Sequence, residues 1–375
     1  MKRILLLSIL ILSSMIIMDT LFIDKNVNTN PSTDHTDNQL YIERAETILK
    51  GGILYKDVVT KTPPLINYLL LPPVILGASP LAFEIYFSIF IVLTVLSIYH
   101  FLSKIDEKKA YLSAILFLLI PTTMATPTLC RQDESIVVFF FILPLLILYS
   151  TGKEKTYSLL ASIGVWIKMH PIFLIPPFLL KKKGKELMIH IVIILAVSLV
   201  IILPFLILAG NKFLWFLKFY IFGEGEKLQG ISLWRLLDAN GISIPSIFLI
   251  GIMGVAILII YAKFYREGIW KCILLSLIAY FILYPKIHYE YFLMFFALSI
   301  PYMVEDKKNI LLLYAIALLT GITLLIEQRY LDWKTMEVAS WFFIPLAILS
   351  MLMVDIIMLH LFRHISRENF WLDKF

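Results

Sequence analysis

Long apolar runs separated by short polar segments dominate the pattern of this chain. The run from Ile189 to Leu208 is typical, and at 1.5 Å per helical residue it can cross about 30 Å of hydrocarbon. Backbone groups in lipid must be hydrogen-bonded within their own segment, so these runs are predicted to be helices. The pattern therefore predicts an all-α polytopic membrane protein.

Basic residues in the short loops set the predicted topology, because cytoplasmic loops carry an excess of Lys and Arg. When every basic cluster is placed on the cytoplasmic side, the chain crosses the membrane about ten times and both termini are cytoplasmic. The predicted location is the cell (plasma) membrane. The predicted crossings are residues 3–23, 80–103, 109–126, 133–150, 186–209, 244–264, 269–285, 288–304, 308–326 and 338–361. Residues 156–180 start and finish inside, which predicts a short helical hairpin bent at Lys168-Met169-His170-Pro171.

The polar segments collect on the predicted outer face of a single domain, residues 1–375. The first external loop is 24–79 and the second is 210–243. Residues 38–50 are predicted to form an amphipathic helix lying flat on the membrane. Its apolar face is expected to consist of Leu40, Tyr41, Ala45, Ile48 and Leu49. The basic and aromatic tail after Leu361 is typical of an interfacial anchor.

Composition supports the membrane assignment. Hydrophobic residues make up 60% of the chain and charged residues 16%, whereas soluble domains are roughly half apolar and a quarter charged. The net charge of +6 is explained by topology, since the basic residues lie mainly in short loops, and no nucleic-acid partner is predicted. Cys130 and Cys272 fall near opposite predicted faces, so no disulfide between them is expected.

Four features follow one another in the first external loop. They are an acidic residue after the first helix, the flat helix, the turn Gly51-Gly52-Ile53-Leu54-Tyr55-Lys56-Asp57, and the stretch Lys61-Thr62-Pro63-Pro64-Leu65. This order resembles the first external loop of GT-C fold glycosyltransferases, especially their mannosyltransferase-like branch. Further pieces with the same resemblance are residues 128–133, 168–171, 230–237 and 285–292. The Asp-x-Asp of part of that branch is missing, because Asn38 and Gln39 follow Asp37.

The resemblance implies a GT-C-like fold and a hexosyltransferase. Such an enzyme moves a sugar, with mannose the candidate, from a polyprenyl-phosphate donor to a lipid or glycan acceptor at the external membrane face. Asp37 is the candidate base that deprotonates the acceptor hydroxyl. Its structural alternative is a helix N-cap.

The leaving phosphate requires cations nearby. The candidates for binding the donor phosphate or sugar are Lys61, Arg131, Lys168, His170, Lys286 and His288. A second acidic site is expected from Asp34, Asp133 and Glu134. It is the candidate site for a divalent cation, Mg²⁺ or Mn²⁺, and the missing Asp-x-Asp leaves metal use open.

Two other classes of function use the same residues differently. A transporter or flippase of a lipid-linked anion needs the cations but no base. It is expected to show repeated halves and charges at the membrane midplane, and the sequence shows neither. A non-catalytic subunit of a membrane complex is the third reading. The one-sided distribution of polar residues favours the enzyme.

Overall fold

The structure, a computed structural model, describes four stretches of the chain: residues 1–23, 36–222, 230–327 and 340–374. Within these stretches the chain is helical and contains no β-strand. The all-α class predicted from the apolar runs is therefore confirmed. Asp34, a candidate for the second acidic site, lies outside the described residues. Residues 338 and 339, the first two of the last predicted crossing, lie outside them too.

The helices are listed here in chain order. Those before residue 223 are α1 (Lys2–Met18), α2 (Asn38–Leu49), α3 (Pro64–Leu69), α4 (Leu71–Ile75), α5 (Pro80–Leu102), α6 (Glu107–Leu118), α7 (Pro121–Ala125), α8 (Glu134–Thr151), α9 (Glu154–Ile167), α10 (Ile175–Leu180), α11 (Gly184–Ala209) and α12 (Trp215–Phe222). Those after residue 229 are α13 (Leu233–Ala239), α14 (Ser246–Phe264), α15 (Ile269–Leu283), α16 (Phe292–Met303), α17 (Lys307–Glu327) and α18 (Ser340–Ile365).

Seven helices in the described stretches are long and apolar enough to cross a membrane. They are Lys2–Ile23, Pro80–Leu102, Glu134–Thr151, Gly184–Lys212, Ser246–Phe264, Lys307–Ile326 and Trp341–Ile365. Three other predicted crossings correspond to the shorter helices α6, α15 and α16, of 12, 15 and 12 residues. Helices of this length span about 18–22 Å, less than the roughly 30 Å of hydrocarbon. The number of about ten crossings therefore stays a prediction.

Proline explains two of the breaks between helices. The predicted crossing 109–126 is divided, because α6 ends at Leu118 and α7 begins at Pro121. Proline suits the first turn of a helix but lacks the N–H that continues one. In the predicted hairpin, α9 ends at Ile167 and a 3₁₀ turn begins at His170. The hairpin is thus bent where the Lys168–Pro171 motif predicts.

The chain divides into two compact units, Met1–Leu118 with Met124–Gly225 and Leu119–Thr123 with Glu226–Phe375. In the first unit, α5 packs against α1, α6 and α8, and α9 packs against α8 and α11. Helix α11 buries only His190 and Phe205 of its own residues. Its apolar surface is therefore available to lipid. The single domain expected from the sequence stays a prediction.

The second unit contains a buried core of short helices. All residues of α16 and most of α15 are buried, as is typical of helices that are apolar on every side. The chain end packs onto this core: Trp371 Nε1 donates to the Pro301 carbonyl at 2.7 Å, and the Tyr302 hydroxyl donates to Asp373 at 2.5 Å. Trp371 is therefore buried against protein, and the expectation that the tail is an interfacial anchor stays a prediction.

Candidate functional site

Asp37 immediately precedes α2, in the N-cap position that its sequence context suggested. Its side chain makes no capping hydrogen bond. The Asn38 N–H instead donates to the Thr36 hydroxyl at 3.4 Å. The alternative of a capping carboxylate is therefore not the arrangement in the structure, and the Asp37 carboxylate lies among other polar groups.

Helix α2 is present and buries part of the predicted face. Tyr41 and Ala45 of that face are buried, together with Asn38 and Arg44, whereas Leu40 and Leu49 are 44% and 51% exposed. A polar contact holds the buried side. The Tyr41 hydroxyl donates to Gln132 Oε1 at 3.0 Å and accepts from the Asp133 N–H at 3.3 Å. Helix α2 is therefore docked on the polar segment that precedes α8.

We call five residues the Asp37 cluster: Asp37, Arg44, Gln132, Asp133 and Lys168. Two helices bring the last two together. Lys168 directly follows α9 and Asp133 directly precedes α8, and the short connection between these packed helices places the end of one beside the start of the other. Lys168 Nζ donates to Asp133 Oδ1 at 2.8 Å and also to Glu134.

The electrostatics of this cluster favour a proton acceptor at Asp37. Asp37 keeps exposed surface as a residue, yet the protein packed around its carboxyl group removes enough water to raise the carboxyl pKa, and the charge of Asp133 raises the pKa further. Lys168, Arg44 and a hydrogen bond with Gln132 lower the pKa without cancelling those effects. A carboxylate with a raised pKa on a residue that keeps exposed surface is a candidate for general base catalysis.

A second group of charges consists of Asp19, Glu84 and Arg131. We call it the Arg131 triad. The Arg131 guanidinium donates to Asp19 at 2.6 Å and to Glu84 at 2.8 Å. Each of the three side chains is at most 1% exposed. Arg131 also has a positive φ of 49°, which is uncommon for a residue with a side chain. A phosphate could reach this guanidinium only by displacing both carboxylates.

The other predicted phosphate ligands of the first unit are Lys61 and His170. Lys61 is half-buried, and its Nζ lies 5.7 Å from the centre of the Trp215 ring. His170 is 5% exposed and begins the 3₁₀ turn His170–Leu174. The structure thus brings Asp37, Asp133 and Lys168 together in one cluster, and the guanidinium of Arg131 donates to Asp19 and Glu84.

Lys286 and His288 belong to the second unit. Both are half-buried, and His288 Nδ1 lies 3.8 Å from Glu290 Oε1. Their segment is fixed to residues 230–237, because the Ser232 hydroxyl donates to the Pro285 carbonyl at 2.7 Å. Gly230 has a positive φ of 80°, and a Cβ there would collide with the Ile287 carbonyl. Two of the motifs singled out in the sequence therefore contact each other.

These motifs and their positions are the basis of the resemblance to GT-C enzymes. A scan against protein-family models finds no match for this chain. A search of the curated proteins finds no match either. Membership of that superfamily therefore stays a prediction from the residues quoted above.

The predicted divalent cation does not fit the second acidic site as it is arranged. Asp133 and Glu134 both bind the ammonium group of Lys168, so one oxygen of each carboxylate already faces a cation. Elsewhere in the described stretches, Glu154, Glu186 and His190 have ligand atoms within 4.8 Å of one another. Lys182 Nζ lies 2.5 Å from Glu154 and 2.9 Å from Glu186, so a lysine neutralises that group too.

Sequence reasoning missed several members of these groups. Asp19 had no assigned role and Glu84 was overlooked, although an acidic residue within an apolar helix is a signal of a buried charge partner. Gln132 and Tyr41 carried no comparable signal, since both residues occur commonly at membrane boundaries and helix ends. Their role follows from the docking of α2, which brings residues 91 positions apart into hydrogen-bonding contact.

Proposed function

We propose that this protein is a GT-C type glycosyltransferase that moves a hexose from a polyprenyl-phosphate donor to a lipid or glycan acceptor at the outer membrane face. The observation that carries the proposal is the state of Asp37. Asp37 keeps exposed surface as a residue, its carboxylate makes no capping hydrogen bond, and the pKa of that carboxyl group is raised by desolvation and by Asp133. Mannose is the candidate sugar because the motifs resemble the mannosyltransferase-like branch.

The proposed reaction assigns one task to Asp37. Its carboxylate accepts the proton of the acceptor hydroxyl while that oxygen forms a bond to the anomeric carbon. The bond between that carbon and the phosphate oxygen breaks, and the phosphate leaves with the electron pair. A carboxylate with a raised pKa holds the proton better than an ordinary aspartate. Lys61 is the candidate cation for the departing phosphate, since it lies in the same predicted external loop.

Two predicted phosphate ligands receive different roles in this proposal. Lys168 organises the acidic residues, because its ammonium already binds Asp133 and Glu134. Arg131 anchors α1 and α5 through Asp19 and Glu84. His170, Lys286 and His288 keep the predicted roles of binding phosphate or orienting the sugar. No step is assigned to a metal, because Lys168 occupies the acidic pair that would bind it.

The transporter alternative gains two observations: the buried charges of Asp19 and Glu84 in apolar helices, and the half-buried Asp355 near the middle of the span Trp341–Ile365. The position of Asp19 and Glu84 argues against it. Asp19 lies four residues before the end of the span Lys2–Ile23, and Glu84 lies four residues after the start of the span Pro80–Leu102. Both are therefore about 6 Å from a helix end, whereas transporter sites lie near the midplane. The enzyme is the better supported proposal.

Replacement of the proposed base tests this function. Asp37→Asn is expected to lower hexose transfer from a polyprenyl-phosphate donor by roughly 10²- to 10⁴-fold, the usual contribution of a general base. Thermal unfolding and donor binding should stay at wild-type values, because the carboxylate makes no cap. The measurement is transfer of radiolabelled sugar by the purified protein in detergent.

A matched control is Asp57→Asn, which changes another exposed aspartate of the same loop. Asp57 accepts a hydrogen bond from the Ile53 N–H at 2.8 Å, so this variant is expected to affect the local turn and leave most of the transfer activity. Near-normal turnover of Asp37→Asn would show that Asp37 is not the base. Equal losses in both variants would point to damage of the loop.

A further inference from the structure

A cavity of about 240 Å³ lies in the first unit, apart from the Asp37 cluster. It is lined by Tyr55, Lys56, Val59, Thr60, Lys212 and Trp215. Tyr55 and Thr60 are buried and form its floor, whereas Lys56, Lys212 and Trp215 keep exposed surface. Pockets that enclose drug-sized ligands measure roughly 300–1,000 Å³. This one is therefore sized for a headgroup and not for a whole lipid.

The charge of the cavity is positive. Lys56 and Lys212 both line it, and in the part of the chain that the structure describes no carboxylate forms an ion pair with either. Lysine is a common phosphate ligand. Thr60 adds a hydroxyl, and Trp215 adds an aromatic wall that is 38% exposed. Two ammonium groups, one hydroxyl and an aromatic ring suit an anion with an organic portion.

The floor of the cavity is rigid. Tyr55 packs edge-on against Phe213 at 5.0 Å and against Phe205 at 5.7 Å, and its hydroxyl donates to the Thr62 carbonyl at 2.8 Å. Its φ of 69° is unusual for a bulky residue, and this turn directs the chain so that Lys56 follows at the rim. A rim fixed in this way loses little freedom when it binds a ligand.

The position of the cavity indicates the source of the anion. Lys212 is the last residue of the candidate span Gly184–Lys212, and lysine and tryptophan at the ends of spans lie at the level of the lipid headgroups. The short apolar helices Pro64–Ile75 follow the same loop. The cavity is therefore at the depth where lipid phosphates are found.

We infer that this cavity binds the phosphate of an anionic membrane lipid, with Lys56 and Lys212 contacting the phosphate oxygens and Trp215 packing on the organic part of the headgroup. The site does not depend on the proposed glycosyl transfer. It uses neither Asp37 nor Lys168, and the predicted phosphate ligand Lys61 contacts Trp215 without lining the cavity.

The test is a titration of the purified full-length protein in nonionic detergent with short-chain phosphatidylglycerol, followed by tryptophan fluorescence. The chain has seven tryptophans, so Trp215→Phe identifies the signal from the cavity and should remove it. The double variant Lys56→Gln/Lys212→Gln is expected to bind at least about tenfold more weakly. Lys56→Arg/Lys212→Arg should keep binding near the wild-type value.

Two controls separate this site from general effects of charge. Lys218 is an exposed lysine of α12, the helix that begins with Trp215, and it does not line the cavity. The Lys218→Gln variant should therefore bind like wild type. Asp37→Asn should also bind like wild type, which separates a failure here from a failure of the proposed function. Unchanged binding in the double lysine variant would overturn the proposal.

Inorganic phosphate is the second arm of the experiment. It is expected to bind at least about tenfold more weakly than phosphatidylglycerol, because it lacks the organic portion that packs on Trp215. The zwitterionic phosphocholine counterpart should also bind more weakly. Inorganic phosphate that binds as tightly as the lipid, and is lost in the double lysine variant, would overturn the assignment to a lipid.

Discussion

The Arg131 triad and the Asp37 cluster include neighbouring residues of the chain, Arg131 and Gln132, and each holds basic and acidic side chains in contact. They differ in access. In the triad all three side chains are at most 1% exposed. In the cluster Asp37 is exposed, while its neighbours Asp133 and Lys168 are buried and bound to each other. The first group is closed to ligands, and the second presents one carboxylate to them.

This difference separates charges that stabilise the fold from a charge that is proposed to take part in the reaction. A buried ion pair costs much desolvation energy, and removal of one partner leaves the other uncompensated. The Arg131 triad therefore contributes to the fold by linking the end of α1 to the start of α5. In the Asp37 cluster the buried pair of Asp133 and Lys168 lies beside Asp37, a residue with exposed surface whose carboxyl pKa is raised by desolvation and by Asp133. Chemistry is expected where access and a raised pKa coincide.

The largest expected effect on stability comes from opening the closed group. Arg131→Met leaves Asp19 and Glu84 buried without a cation, so it should lower the free energy of unfolding by about 3–5 kcal/mol. The measurement is thermal or denaturant unfolding in detergent. The triple variant Arg131→Met/Asp19→Asn/Glu84→Gln removes the uncompensated charge and should recover most of the loss. A stable Arg131→Met variant with weakened donor binding would instead restore Arg131 as a phosphate ligand.

A smaller effect is expected on the pH dependence of transfer. The base acts when deprotonated, so activity falls as the pH drops through the pKa of Asp37, which lies above the ordinary value of 3.8. Asp133 raises this pKa and Arg44 lowers it. Asp133→Asn should therefore move the acid limb of kcat/KM to lower pH, and Arg44→Gln should move it to higher pH. Identical acid limbs in all three proteins would mean that another group titrates.

The smallest effect is expected at the contact that docks α2. Tyr41→Phe removes a hydroxyl that donates to Gln132 and accepts from the Asp133 N–H. A net loss of about 1 kcal/mol in unfolding free energy is typical for such a hydrogen bond. Turnover should fall only a few-fold, since Asp37 keeps its other neighbours. Stability unchanged in a thermal scan would indicate that water replaces the hydroxyl.

The sequence predicted the helices well, because lipid leaves the backbone few alternatives. It did not predict how deeply each helix is buried. Helix α11 and helix α15 are both strongly apolar, yet α11 buries two of its residues and α15 buries most of its own. Hydropathy measures the preference for an apolar environment, and lipid and a protein core provide that environment equally.

The sequence also identified candidate residues for the site, but it did not predict which residues they contact. The motif around residues 128–133 drew attention to Arg131 and Asp133, but it did not show that they face different partners. Arg131 meets Asp19 across 112 positions, and Lys168 meets Asp133 across 35. Such pairings depend on how helices pack, and no local pattern encodes them. For the same reason, the burial of Asn38 and Arg44 on α2 was not predicted.

The central claim is that this chain transfers a hexose from a polyprenyl phosphate by means of Asp37. The most direct measurement is sugar transfer from a panel of radiolabelled polyprenyl-phosphate hexoses to endogenous lipid and glycan acceptors. It compares membranes that contain the wild-type protein, the Asp37→Asn variant or neither. The account predicts transfer from one donor that requires the chain and is lost with Asp37→Asn. No chain-dependent transfer from any donor, in membranes where the protein is folded and binds polyprenyl phosphate, would contradict it.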